Sequence, residues 1–195
     1  MKRNIIRLFT LSCALPVSAT ALAHTGSHEV SGFLAGLGHP LTGPDHLAAM
    51  LAVGFWAALG LQRQARMLIP AFLVFMCCGA AAGMAGAVMP GLETGIATSV
   101  LVMGLLVATQ ARLPAGVGIA LAGLFALFHG SSHGAEMPVA AAPLLYAAGF
   151  LLSTAALQLG GFALGRILLH VRTVWLLRGA GILTGGFGAW LLLGA

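Results

Sequence analysis

Six apolar stretches follow one another along this chain with only short polar connections between them: residues 32–61, 67–89, 94–110, 114–133, 140–165 and 173–193. A helix that crosses a bilayer needs about 20 apolar residues, and most of these stretches meet that length. Charged residues make up only 7% of the 195 residues and apolar types 59%, whereas a soluble domain carries about 25% charged residues to wet its surface. Lipid is therefore the solvent this chain requires. No soluble linker or second domain interrupts the series. The expected fold class is all-α: a polytopic membrane bundle of six transmembrane helices, the first one broken.

The break follows from length and from proline. A single helix over residues 32–61 would reach about 45 Å, against a hydrocarbon core of about 30 Å. The stretch also contains Gly38-His39-Pro40 and Gly43-Pro44. Proline lacks a backbone donor and clashes with the preceding turn. The sequence predicts a short piece over 32–37, a turn, and a helix from about Pro44. Broken helices at membrane depth occur where they line a cavity.

The N-terminus reads as a signal peptide over residues 1–23. Lys2, Arg3 and Arg7 precede a short apolar run, Pro16 breaks it, and Ala21-Leu22-Ala23 matches a small-x-small cleavage pattern. An uncleaved anchor is the alternative. Residues 24–31 then form a short periplasmic N-terminus, and residues 32–195 the six-helix transmembrane domain. With an outside N-terminus, the first, third and fifth connections face the cytoplasm. Those connections hold Arg63, Arg66, Arg112, Arg166 and Arg172, while the second and fourth hold no Lys or Arg. Signal peptide and positive-inside bias agree, and both mature termini are expected in the periplasm. The location implied is a bacterial inner, cytoplasmic membrane.

Other features carry less. The formal charge of +5 lies in short loops and does not indicate a nucleic-acid partner. Cys77 and Cys78 are adjacent, which is not the CxxC spacing of a redox or zinc motif. Gly32/Gly36, Gly79/Gly83, Gly161/Gly165 and Gly181/Gly185 have the small-xxx-small spacing of close helix packing. Homo-oligomerisation is left open. No Walker-A GxxxxGK[ST] is present, and no ATPase partner is evident.

Ionisable groups at bilayer depth cost about 2.5–3.5 kcal/mol each on insertion scales, so those retained there need a reason. Two clusters stand out. The first is His39-Pro-Leu-Thr-Gly-Pro-Asp45-His46, with Met50 one turn beyond His46. Thr42-Gly-Pro-Asp45 also fits a helix capping box, which explains Asp45 without function but not the two flanking histidines. The second is Phe128-His129-Gly-Ser-Ser-His133-Gly-Ala-Glu136. His129 and His133 share a helix face at i,i+4, and Glu136 joins that stripe if the helix continues. Gly130, Gly134 and Pro138 are expected to weaken that helix and let backbone join the site. The first cluster opens the first span and the second closes the fourth, so both belong to the same side of the membrane. Neutral imidazole suits Zn, Cu, Fe and Ni, and no Cys accompanies the clusters. His39, Asp45, His46, His129, His133 and Glu136 are the candidate metal ligands. His24, His28, Glu29 and Met50 are candidates for metal capture. Glu93 reads as a poorer candidate at a loop edge, with no His neighbour in sequence.

Both motifs, His39-x5-Asp45-His46 with Ala49-Met50 and Phe128 through Glu136, resemble the HupE/UreJ family of nickel/cobalt permeases, over essentially the whole mature chain. The resemblance implies a secondary permease that takes up Ni²⁺ or Co²⁺ for hydrogenase, urease or cobalamin assembly. It makes the divalent ion a transported substrate, with no cofactor. It carries over His39, Asp45 and His46 as first-motif residues and His129, His133 and Glu136 as second-motif residues. Metal efflux or sensing remains an alternative, as does a His-box membrane metalloenzyme. The zincin pattern His-Glu-x-x-His is absent.

Overall fold

The structure, a computed structural model, describes residues 32–60, 62–87 and 89–194. The expected signal peptide, and His24, His28 and Glu29, lie outside the described residues. Among the described residues the chain is all-α, with seven helices: α1 (Gly32–Thr42), α2 (Pro44–Leu59), α3 (Gln62–Met84), α4 (Leu92–Thr109), α5 (Ala115–Ala135), α6 (Pro143–His170) and α7 (Val174–Gly194). The last five are long and apolar enough to cross a membrane, and α2 is a shorter apolar helix.

The expected break in the first element is present, but at a different residue. α1 runs on through His39 and Pro40 to Thr42, and the chain turns at Gly43. Pro40 sits near the end of α1, where only one helical hydrogen bond is lost to its missing donor. Pro44 then occupies the first turn of α2, where its fixed φ suits a helix start. The capping box is not formed. The N-cap is Gly43 and no side chain caps it, while the Thr42 hydroxyl donates to the His39 carbonyl at 2.8 Å.

Close approach of glycine to backbone sets the helix pairs. α1 and α2 lie one after the other along the single long α6. A Cβ on Gly36 would sit 2.1 Å from the Tyr146 carbonyl oxygen, and one on Gly54 2.2 Å from that of Gln158. The interrupted element thus covers the length of an unbroken helix. α3 packs parallel to α5: Gly79 lies against Leu127 and Gly83 against Ser131. α4 packs antiparallel to α7, with Gly181 against Ala108 and Gly188 against Leu101. The glycine pairs singled out in the sequence are packing positions, as expected. At the far end, Trp56 donates to the Ala111 carbonyl at 2.9 Å and Arg178 to the Gln110 amide oxygen at 3.3 Å.

Candidate metal path

α5 is unbroken through Gly130 and Gly134, contrary to the expectation that these glycines loosen it. Both face α3. A Cβ on Gly130 would lie 2.0 Å from the Met76 carbonyl oxygen, and one on Gly134 2.2 Å from that of Ala80. They let α5 seat deeply, and its histidine face turns toward α1 and α2. α5 ends at Ala135, and Glu136 is its C-cap. The Glu136 N–H still donates to the Ser132 carbonyl at 2.9 Å, so Glu136 follows the histidines at the very end of the helix.

The two motifs meet. His39 from α1 is 4.9 Å from His133, ring centroid to centroid; His133 is 4.6 Å from His46; His46 is 4.7 Å from His129. These imidazoles form a string rather than a cage. At one end, His39 Nε2 lies 3.2 Å from Glu136 Oε2. At the other, His129 Nε2 lies 2.7 Å from the Ser99 hydroxyl on α4. Exposure differs between the members of the string: the Glu136 side chain is 52% exposed, that of His39 23% and that of His46 9%, while His133 and His129 are completely buried.

Hydrogen-bond partners fix which nitrogens are left. His46 Nδ1 lies 3.1 Å from Asp45 Oδ1, so its N–H donates to the carboxylate, and Nε2 is left without a partner. A carboxylate partner that sets a ring's tautomer is common behind metal-binding histidines. Ser99 donates to the Ile96 carbonyl at 2.6 Å, so it accepts from His129 Nε2–H, and Nδ1 of His129 is left. His46 Nε2, His129 Nδ1 and both nitrogens of His133 are buried without a partner. Unpartnered buried polar atoms are rare, and here they cluster in one place. Phe150 stacks on His133 at 5.1 Å and holds its ring. The His39 hydrogen bond, against opposing burial and with help from the Ser132 hydroxyl, holds the Glu136 carboxyl below its ordinary value. Among the described residues, no three His, Cys, Asp or Glu side chains are set to hold one metal ion together.

A cavity of about 190 Å³ opens onto the string, lined by His39, Asp45, His46, Ser132 and Glu136. Glu93 lines it too, from the first turn of α4. Sequence distance from any histidine had made Glu93 look isolated; helix packing brings it beside them. Asp45, Glu93 and Ile96 also border a second cavity of about 300 Å³ reaching Trp190 and Gly194 at the end of α7. Ser99 and Phe150 carried no signal in the sequence, because each joins the site only through tertiary contact. Met50 is fully buried, with its sulfur 3.5 Å from the Gln158 amide nitrogen, and so lies inside the bundle rather than at its mouth.

Residues 12–191 match the HupE / UreJ protein family. The chain belongs to the HupE/UreJ family. It is 41% identical over 162 residues to Protein HupE of Rhizobium leguminosarum bv. viciae, covering 83% of this chain and 84% of that protein. No solved structure matches. HupE/UreJ proteins are transporters rather than enzymes, associated with nickel/cobalt uptake for hydrogenase and urease. Family and apolar helices together make this a multi-pass membrane protein whose substrate is a metal ion.

Proposed function

We propose that this chain takes up Ni²⁺ and/or Co²⁺ across the cytoplasmic membrane, through a His/Asp/Glu-lined path open to the periplasm, for metalloenzyme or cobalamin assembly. The observation that carries this reading is the string of four imidazoles, with unpartnered buried nitrogens on three of them and carboxylates where it meets the open cavity. A doubly charged ion leaving water needs its hydration shell replaced and its charge balanced. Asp45, Glu136 and Glu93 supply charge where the ion still meets water. The imidazoles supply neutral nitrogen donors where it does not. His39, Asp45, His46, His129, His133 and Glu136 act as ligands in succession, and His24, His28 and Glu29 concentrate the ion before it enters.

The broken α1–α2 element makes the first of six crossings in this reading, beside α6. The second and fourth connections lie outside with both mature termini, and the arginines lie inside. Entry of two charges through 100 mV releases about 4.6 kcal/mol, which favours inward movement of the ion. The test is accumulation of radiolabelled Ni²⁺ and Co²⁺ by a transport-deficient host expressing the chain. Uptake of either ion above the empty host supports the reading; faster loss of preloaded ion would replace it with efflux. Reporter fusions after Arg66, Arg112 and Arg172 should read cytoplasmic, and those after Gly91 and Met137 periplasmic. A periplasmic signal after Arg112 would overturn the orientation.

A further inference from the structure

Beyond the histidines, the face of α6 that carries Tyr146 and Phe150 continues at i+4 spacing with Thr154 and Gln158. Both are completely buried, as is Met50 on α2. Thr154 Oγ1 and Gln158 Oε1 have no hydrogen-bond partner. A threonine inside a helix ordinarily bonds the carbonyl one turn back, and no such bond is present here. The Gln158 amide nitrogen is turned to the Met50 sulfur, which leaves its oxygen free. An unsatisfied buried polar atom is destabilising, and an apolar residue at either position would avoid that cost.

Position gives these groups a role. Phe150 is level with His133, which it stacks on. Gln158 is eight residues further along α6, about 12 Å at 1.5 Å per residue. Met50 follows His46 by one turn of α2. The three donors therefore lie past the imidazoles on the side away from the cavity mouth, toward the end where Arg112 and Arg178 lie.

We infer that Met50, Thr154 and Gln158 form an inner station for the transported cation, a weak site of neutral oxygen and sulfur donors. This rests on the transport reading above. A partly hydrated divalent first-row ion takes hydroxyl and amide oxygens in place of lost water, and the soft Met50 thioether adds only a weak further contact. No carboxylate is in the set, so binding is weak. Weakness suits the position, since conduction needs sites that an ion can leave. Charged and imidazole groups capture the ion at the mouth, and uncharged groups release it inward.

The experiment compares the parental full-length chain with Thr154→Val/Gln158→Leu and with Gln158→Glu. Three quantities are measured: radiolabelled Ni²⁺ uptake per molecule in the membrane, Ni²⁺ bound by the purified protein, and thermal stability. The double variant is apolar at both positions and close in volume, and removes both oxygen donors together with the amide N–H that meets the Met50 sulfur. Its maximal uptake should fall about tenfold or more, since two oxygen donors are lost together. Its half-saturating concentration and Ni²⁺ binding at the imidazoles should stay parental, because ground-state capture is untouched. Gln158→Glu keeps an oxygen and adds charge, so bound Ni²⁺ should leave the protein more slowly than from the parent. Parental uptake per molecule in the double variant overturns the inner station. So does a loss of uptake that is matched by loss of Ni²⁺ binding and thermal stability, which marks a merely structural role. A parental chain that accumulates neither ion sinks the transport reading itself, and the station with it.

Discussion

α5 and α7 are each 21 residues long and both are rich in glycine, yet they occupy opposite situations. Eleven residues of α5 are buried inside the protein and four of α7. α5 buries His129, Ser131, Ser132 and His133, while the residues α7 buries are Leu177 and three glycines. α7 turns Trp175, Ile182, Leu183 and Trp190 outward. Its two tryptophans are 15 residues apart, about 22 Å along a helix, a spacing that suits the two aromatic belts of a membrane. Glycine serves both helices in the same way, by letting backbones touch. The polar side chains on the opposite face of α5 separate a path-lining helix from a sealing one.

That contrast is broken most directly at the path. Asp45→Asn and His133→Ala should each lower Ni²⁺ or Co²⁺ uptake by about tenfold or more, as loss of a metal ligand or its partner does, with parental abundance in the membrane. Uptake at the parental rate in Asp45→Asn would remove the path from the mechanism. Glu93→Gln comes next. A unit charge about 4 Å away is worth about 1 kcal/mol in water and twice that toward a doubly charged ion. Because Glu93 borders the open cavity, its loss should raise the half-saturating concentration several-fold and leave the maximal rate largely intact. The effect should shrink as salt is raised. An unchanged concentration dependence would return Glu93 to the loop edge that its sequence suggested.

The glycine seams sharpen the comparison. Gly134→Ala and Gly188→Ala would each drive a methyl into backbone, near Ala80 and Leu101 respectively. Each should destabilise the protein by about 1–3 kcal/mol, the usual cost of overpacking, read as a fall in thermal stability in detergent. Only Gly134→Ala should also lower uptake per surviving molecule, because it shifts the helix that carries His129 and His133. Equal uptake losses from both would mean that α7 is no mere seal. The smallest effect is expected at Ile182→Ala on the outward face of α7, within about 0.5 kcal/mol, as at surface positions generally.

Much of this was determined along the chain. Apolar length marks the five helices long enough to cross a membrane, and Gly43-Pro44 marks the break between α1 and α2. Histidine spacing marks the path, because groups four residues apart on one helix must share a face. The sequence misjudged whatever depends on the neighbour. Pro40 is tolerated inside α1, Gly130 and Gly134 tighten α5 onto α3 instead of loosening it, and Thr42 and Asp45 make other bonds than a capping box. Only tertiary structure decided that Glu93 and Ser99 from α4, and Phe150 from α6, belong beside the histidines. It also decided that Thr154 and Gln158 continue the line inward with Met50. The reason is physical: the helical period orders side chains within one helix. Which helices meet, and at what height, is set by where small residues let backbones approach, and that matching joins residues far apart in the chain.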